Sequence, residues 1–429
     1  MKNRFPVLLF ALAFVFICSA SSSVFNNTSI NENLNATGKP DHIVLTWTDD
    51  PATTQTISWR GAPAVMEGSV EYSEADGAAS ERSVAKAHVE FFSTISSDRP
   101  GKMNIFSATL RKLKADTRYS YRVANGSVYS PRYTFTTADR DPETAEFLIF
   151  GDSQSGNYKN PDYSQWHDTV TKAVALNSKA RFFISMGDLV ETGQNYIHWD
   201  NWFNAAQDVI RTIPMAPVVG NHETYTLKRK SYSTPRYFVS QFKTFRNGPD
   251  GLKGQVYSFD YGPAHFSILD SQQEEETPGD DRMLKVQAAW LEKDLRSTGK
   301  RWKLVFFHKT PYSHYFLDRN KSVREAFCPV IERHHVDVVF NGHDHVLART
   351  KPMEKDISYD DPKDGTVYYT TGRSGPKYYK IMVPSSVDVF FHNPTDQPCY
   401  EAVTVTDKSL RIVARKQDGS VIDDYVIRK

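Results

Sequence analysis

Residues 336–345 read VDVVFNGHDH. β-Branched and aromatic residues dominate Val336 to Phe340, and Asn341 and Gly342 then break the run. A short apolar run of this kind, bounded by a turn residue, reads as a buried strand. His343 and His345 alternate around Asp344, so on an extended segment the two imidazoles share a side. The stretch before it, NKSVREAFCPVIERHH (320–335), has the spacing of an amphipathic helix. His334 and His335 close that helix, where cations suit its dipole. A helix feeding a buried strand that stops on polar residues is the unit of a layered α/β domain.

The unit recurs upstream. EFLIFGDSQSG (146–156) is a strand stopping on an acid, and RFFISMGDL (181–189) follows a helix around 165–179. APVVGNHE (216–223) follows a helix around 196–211, and WKLVFFHKTP (302–311) follows the amphipathic RMLKVQAAWLEKDLRST (282–298). QVYSFDYGPAHFSILDS (255–271) reads as a hairpin, and the tail from Tyr400 to Ile427 alternates like added outer strands. The sheets of this domain, residues 145–429, are therefore expected to be mixed.

A different rhythm precedes it. Residues 40–139 carry short alternating segments such as HIVLTWT, TQTISWR and PRYTFTT, with turn signals between them. That pattern predicts a β-sandwich. LKADTRYSYRV (113–123) resembles the late strands of fibronectin type III domains, with Leu113, Tyr119 and Tyr121 in the core. Its expected role is packing. Residues 21–39, rich in Asn, Ser and Thr, read as a disordered leader. Residues 1–20 read as a secretory signal peptide, Lys2 and Arg4 preceding a short apolar run, with an uncleaved anchor as the alternative.

The formal net charge is +1 and no long basic run occurs, which argues against a nucleic-acid backbone as partner. Export permits a disulfide between Cys328 and Cys399, but sequence leaves both the paired and the free states open. Asn26, Asn27, Asn35, Asn125 and Asn320 lie in glycosylation sequons.

Ligands of α/β folds gather beyond the carboxyl ends of strands. The polar clusters all lie there: Asp152 with Gln154, Asp188, Asn221 with His222, His308, and His343 with His345. Each alone has a plain reading as a turn residue, a helix cap or a core histidine. Together they offer imidazole and carboxylate donors without cysteine, a set suited to zinc, iron or manganese. They exceed the needs of one tetrahedral ion and fit two ions sharing a carboxylate.

The ordered set GD…GD…GNHE…H…GHDH resembles the calcineurin-like metallophosphoesterase superfamily, and the sandwich in front makes it similar to the purple acid phosphatase branch. The resemblance spans nearly all of the chain beyond the leader. It implies an α/β (α+β) four-layer sandwich of mixed sheets flanked by helices, behind an all-β fibronectin III-like sandwich. It implies two transition-metal ions, divalent or mixed-valence, of iron, manganese or zinc. Asp152 and His345 would bind the first, Asp188 would bridge, and Asn221, His308 and His343 would complete the second. His222 would stand beside the phosphoryl group as a catalytic residue, while Asp344, Glu223 and Gly342 would be scaffold. Two such cations, roughly 3.5–4 Å apart, clamp a phosphoryl oxygen and acidify the attacking water. His314 and Tyr312 in HKTPYSHYF are candidates for substrate contact, with Arg373 in TTGRSGP. The alternative for His314 and Arg373 is a surface role.

Two positions depart from the family. The purple phosphatases carry a tyrosine three residues after the bridging aspartate, where this chain has Glu191. Other branches place histidine two residues after the first aspartate, where this chain has Gln154. Gln154 resembles the ligand of a manganese-dependent pyrophosphatase branch and is the candidate for the missing first-metal ligand. The alternative is a hydrogen bond to a metal-bound water. The resemblance implies an exported hydrolase of small phosphorylated substrates, secreted, periplasmic or cell-surface. A phosphodiesterase or nucleotide pyrophosphatase is the alternative activity. A non-catalytic cell-surface binding protein and an adhesion protein working through the sandwich are alternatives of another class.

Overall fold

The structure, a computed structural model, describes residues 34–77, 82–94, 101–226 and 233–429. The signal peptide, most of the leader and the sequons at Asn26 and Asn27 lie outside the described residues.

Strand Thr144–Phe150 shows how alternation builds the layers. Phe147 and Ile149 point to one side, into a core shared with Phe266, Leu304, Phe306 and Phe340. Leu148 and Phe150 point to the other, onto Trp166, Trp199 and Trp202, which belong to helices Ser164–Leu176 and Tyr196–Ile210. Strand Trp302–Lys309 mirrors it. Leu304 and Phe306 face the shared core. Val305 and Phe307 face Leu291, Phe327 and Ile331, from helices Arg282–Ser297 and Lys321–Arg333. The order helix, sheet, sheet, helix is the four-layer sandwich expected from sequence, each strand being apolar on both faces because both are covered.

The first sheet has six strands in the order Met215–Pro217, Phe182–Ser185, Thr144–Phe150, Cys399–Thr406, Ser409–Lys416 and Val421–Arg428. Its first three strands are parallel and the tail strands antiparallel. The second sheet has seven, with Trp302–Lys309, Val338–Gly342 and Val367–Thr371 parallel at its centre. The hairpin read over 255–271 is present as antiparallel strands Tyr257–Tyr261 and Ala264–Ile268.

Ahead of these sheets, strands from Asp41 to Thr136 form a sandwich of a four-stranded and a five-stranded sheet. Leu113, Tyr119 and Tyr121 sit in its core with Trp59 and Phe106. Strands Ser83–Lys86 and His88–Ser93 escaped the sequence reading, because they are partly exposed and their alternation is weak. The four-stranded sheet is buried on both faces over most of Asp41–Thr46, Gln55–Gly61 and Lys102–Leu110. Val44, Phe92, Met103 and Ile105 pack on the tryptophan-rich helices of the mixed-sheet region.

Several expectations change. Leu34 and Ala36, placed by sequence in a disordered leader, are buried in that same packing, and Arg60 donates to the Leu34 carbonyl at 2.8 Å. Cys328 and Cys399 are both free and buried, one under the outer helices and one between the sheets, so the paired alternative falls. Asn125 and Asn320 bury their amides, donating to Arg60 O and Thr310 O, which closes both sequons to a glycan. Among the described residues, no helix is long and apolar enough to cross a membrane.

Candidate metal centre

The carboxyl ends of the central strands converge, and the loops leaving them carry the donors. Asp152 follows strand Thr144–Phe150, Asp188 follows Phe182–Ser185, and Asn221 opens the turn after Met215–Pro217. His308 lies near the end of its strand, and His343 and His345 follow Val338–Gly342. All are buried.

Two clusters result, Asp188 with His308 and His343, and Asp152 with Asp188 and His345, each with donor atoms within 4.8 Å of one another. Asp188 belongs to both. His308 Nε2 lies 3.2 Å from Asn221 Oδ1, from His343 Nδ1 and from Asp188 Oδ2. His308 Nδ1 lies 2.8 Å from the Met186 carbonyl. That contact spends the ring proton and leaves Nε2 as a lone pair. With that tautomer, the donor atoms around Nε2 converge on one point and suit a cation between them. At the other cluster, His345 Nδ1 likewise meets the Lys377 carbonyl at 2.8 Å, and Nε2 lies 3.4 Å from Asp152 Oδ1. The donor sets fit a pair of metal ions held through one bridging carboxylate.

Gln154 enters this second cluster. Its amide nitrogen donates to Asp188 Oδ2 at 3.1 Å and lies 3.3 Å from His345 Nε2. Its oxygen Oε1 is buried without a hydrogen-bond partner. A buried amide oxygen without a partner is costly; exchanging the amide's nitrogen and oxygen, an assignment set by the hydrogen-bond network, would turn Oε1 toward a cation at the Asp152–His345 cluster.

The electrostatics carry the same signature. Burial, reinforced by the Asp188 charge, pushes the Asp152 carboxyl well above the usual range. Burial acts on Asp188 in the same sense, yet the charges of His308 and His222 hold it well below. His308, lowered by burial but raised by Asp188, ends at about 9, so without a metal ion the ring holds a second proton, which a cation at Nε2 would displace. Burial also pushes His343 and His345 well down, so they stay neutral donors.

The backbone is shaped for this. Asp188, His343 and His345 have φ of 50°, 74° and 56°, a left-handed conformation uncommon for such side chains and typical of strained functional turns. The glycines of the motifs allow close approach. A Cβ on Gly220 would lie 2.1 Å from the Asp188 nitrogen, and one on Gly342 would lie 2.9 Å from Asp152 Oδ2. Glu223 gathers the turn, accepting from the backbone N–H groups of Gly220, Asp188 and Leu189 at 2.7, 2.8 and 2.9 Å. Asp344 points away from the clusters and accepts from the His314 backbone and ring.

The substrate-contact candidates are placed differently from their sequence reading. His314 is buried between Asp344 and Asp388, 3.1 and 3.2 Å away. Tyr312 is buried against Tyr368 and donates to Asp356. Arg373 is buried, with Nε and Nη1 on the carbonyls of Pro394 and Gly375. All three are engaged in packing and hydrogen bonding rather than open to a ligand.

His222 stands at the edge of the clusters. Its Nδ1 meets the Glu191 carbonyl at 2.7 Å, and its Nε2 lies 3.8 Å from Asp188 Oδ2. Sequence reasoning missed two neighbours, both on the loop after strand Val367–Thr371. Lys377 Nζ sits 2.9 Å from His222 Nε2, and the Tyr379 ring lies 4.8 Å from the His345 ring. The strand-end rule that flagged the other loops points here too, but it singled out Arg373, which folds onto carbonyls, and not Lys377 on the same loop.

Residues 40–137 match the family model for the purple acid phosphatase N-terminal domain, and residues 145–347 match the model for calcineurin-like phosphoesterases. The chain belongs to the calcineurin-like phosphoesterases. It is a metallophosphoesterase of purple acid phosphatase-like build, and thus a metal-dependent phosphoric ester hydrolase. Mouse acid phosphatase type 7 is 26% identical over 427 residues, covering 91% of each chain. A soybean purple acid phosphatase is 26% identical over 70% of this chain, which spans 64% of that relative's length. In fold, the phosphoesterase resembles the yellow lupin purple acid phosphatase PPD1, with a TM-score of 0.76, 19% identity, and coverage of 91% and 74% of the two chains. It also resembles PhoD, at a TM-score of 0.63 and 16% identity over 92% and 91%.

Proposed function

We propose that this phosphoesterase is an exported hydrolase of small phosphate esters working through two metal ions. The observation that carries the reading is the sharing of Asp188 between two buried donor clusters. Asp152, Gln154, Asp188 and His345 would hold the first ion, and Asp188, Asn221, His308 and His343 the second. Bound there, the ions supply Lewis acidity toward a phosphoryl oxygen and toward the attacking water.

The chain's own residues do the rest. The carbonyls of Met186 and Lys377 fix the rings of His308 and His345, so that Nε2 of each faces inward. The Glu191 carbonyl holds the His222 ring through Nδ1, with Nε2 2.9 Å from Lys377 Nζ beside the clusters, in the group that would face the transferring phosphoryl oxygens. The clusters are almost free of solvent, which strengthens every charge interaction within them.

Metal analysis of the purified protein with a panel of mono-, di- and pyrophosphate esters tests this. The expected result is about two metal equivalents per chain and hydrolysis that chelation abolishes. Metal-loaded protein that turns over no ester would instead favour a binding protein that keeps the fold. Gln154 favours a second reading, a phosphodiesterase or nucleotide pyrophosphatase, which preference for diesters within the same panel would support. Export is tested by N-terminal sequencing of native material, with a start near Ser21 expected and an intact Met1 in a membrane fraction against it.

A further inference from the structure

We propose that Lys377 is a substrate-binding catalytic residue, its ammonium taking an oxygen of the phosphoryl group beside the metal pair. The inference rests on the phosphate-ester reading above and adds to it an anion-binding group that lies outside the metal-ligand set.

Lys377 Nζ is 2.9 Å from His222 Nε2 and 3.5 Å from Glu191 Oε2. Glu191 lies three residues after Asp188. Here its carboxylate accepts from the Gly156 backbone at 3.1 Å and faces the lysine. Lys377 is thus a cation held by a buried carboxylate. The lysine backbone is fixed as well, because its carbonyl meets His345 Nδ1 at 2.8 Å. The ammonium is therefore anchored at both ends of its side chain.

It is also reachable. The Lys377 side chain is 17% exposed, whereas Glu191 beneath it is 3% exposed. The ammonium lies close enough to the donor clusters for its charge to be felt at Asp152, His222 and His345. An ammonium has three donors, and His222 and Glu191 lie within reach of two of them. A phosphoryl oxygen is a strong acceptor for such a group, and charge-assisted hydrogen bonds are the strong class. A fixed donor aimed at developing negative charge needs no reorganisation during reaction.

The rival role is structural, with Lys377 doing no more than neutralise Glu191. Four variants separate the two: Lys377→Gln, Lys377→Arg, Glu191→Gln and the double variant Glu191→Gln/Lys377→Gln. Each is loaded with metal and measured for metal content, melting temperature, orthophosphate affinity by calorimetry, and kcat and KM on an aryl phosphate. The expected result for Lys377→Gln is unchanged metal content and melting, with orthophosphate bound ~10–100-fold more weakly, as for a lost charged hydrogen bond. kcat/KM falls at least as far, Lys377→Arg recovers part of both, and the double variant stays as weak as Lys377→Gln.

Orthophosphate affinity within twofold of wild type in Lys377→Gln overturns the proposal. So does recovery of wild-type affinity in the double variant, which assigns Lys377 to Glu191 alone, or loss of a metal equivalent in Lys377→Gln, which assigns it to the frame of the centre. Lys377-dependent orthophosphate binding by a wild-type protein that hydrolyses no ester would support the lysine and sink only the hydrolase reading.

Discussion

Asp188 Oδ2 is within 3.2 Å of both His308 Nε2 and Gln154 Nε2, and its other oxygen accepts from the His222 backbone at 2.8 Å. Replacing it by Asn keeps the size and removes the bridging charge. Asp188→Asn is expected to lose activity by more than the ~10–100-fold cost of changing an outer partner of a metal ligand. Folding should persist, since the apolar cores are untouched, and near-normal activity in a metal-loaded variant would dismiss the bridge. A second prediction concerns colour. Glu191 is engaged with Gly156 and Lys377, so no phenolate reaches a metal from that position. Iron-loaded protein should therefore lack a strong visible tyrosinate band. Tyr196 is spent on Arg60 at the sandwich contact, so Tyr379, beside His345, and Tyr225, which accepts from Asn221 at 2.7 Å, are the phenols to suspect. A band that disappears in Tyr379→Phe would prove this expectation wrong and identify its source.

Among the elements, the short turn holding Asn221 and His222 depends on Glu223, whose carboxylate collects the amides around Asp188. In Glu223→Gln an amide N–H group would oppose these donors. Metal affinity should fall ~10–100-fold with little change in secondary structure, and equal affinity by metal titration would refute the role. The hairpin at the sheet edge carries a pH dependence. His265 lies 2.7 Å from Asp260 and 2.9 Å from Asp294, the latter on helix Arg282–Ser297. Burial lowers its pKa, but hydrogen bonds to both acids raise it to about 9, against an ordinary 6.5. A raised folded-state pKa stabilises fully below the unfolded value and loses its effect as pH rises through the folded one. The stability gap between wild type and His265→Gln should be widest near pH 6 and shrink toward pH 9–10, in denaturant melts at each pH. A gap that widens with pH would contradict the ionised state.

Across the whole molecule, the sandwich docks through an apolar sheet face and one buried polar network. Arg60 donates to Asp41 at 2.6 Å, to Asp200 at 2.7 Å and to Tyr196 at 2.5 Å. Gln207 pairs with both backbone groups of Ile43, beside a register shift between Asp41 and Val44 where the first strand departs from its partner. Arg60→Met leaves the Asp200 charge buried with its main cation gone, and should cost ~3–5 kcal/mol in denaturant unfolding. A change under 1 kcal/mol, within the range of an exposed ion pair, would show the network to be peripheral. The interface couples the fold of the sandwich to the helix that begins at Tyr196, eight residues beyond Asp188 in the chain, without supplying a donor to the metal clusters.

The sequence by itself determined the layered class, the sandwich ahead of it and the strand ends where donors gather. These rest on local periodicity and on chain neighbours, which a linear reading contains: Phe147 and Leu148 alternate whatever they later touch. Tertiary structure alone decided which groups meet. Arg373 and Lys377 look alike on one loop, yet one folds inward onto carbonyls and the other reaches His222. Leu34 and Ala36 look like leader residues until the tryptophan-rich helices give them a surface to cover. Gln154 is a polar turn residue until strands far apart in sequence bring Asp188 and His345 against its amide and leave its oxygen without a partner. The physical reason is that burial and electrostatic partnership are set by contacts distant in sequence, whereas periodicity and turn chemistry are set by contacts within a few residues.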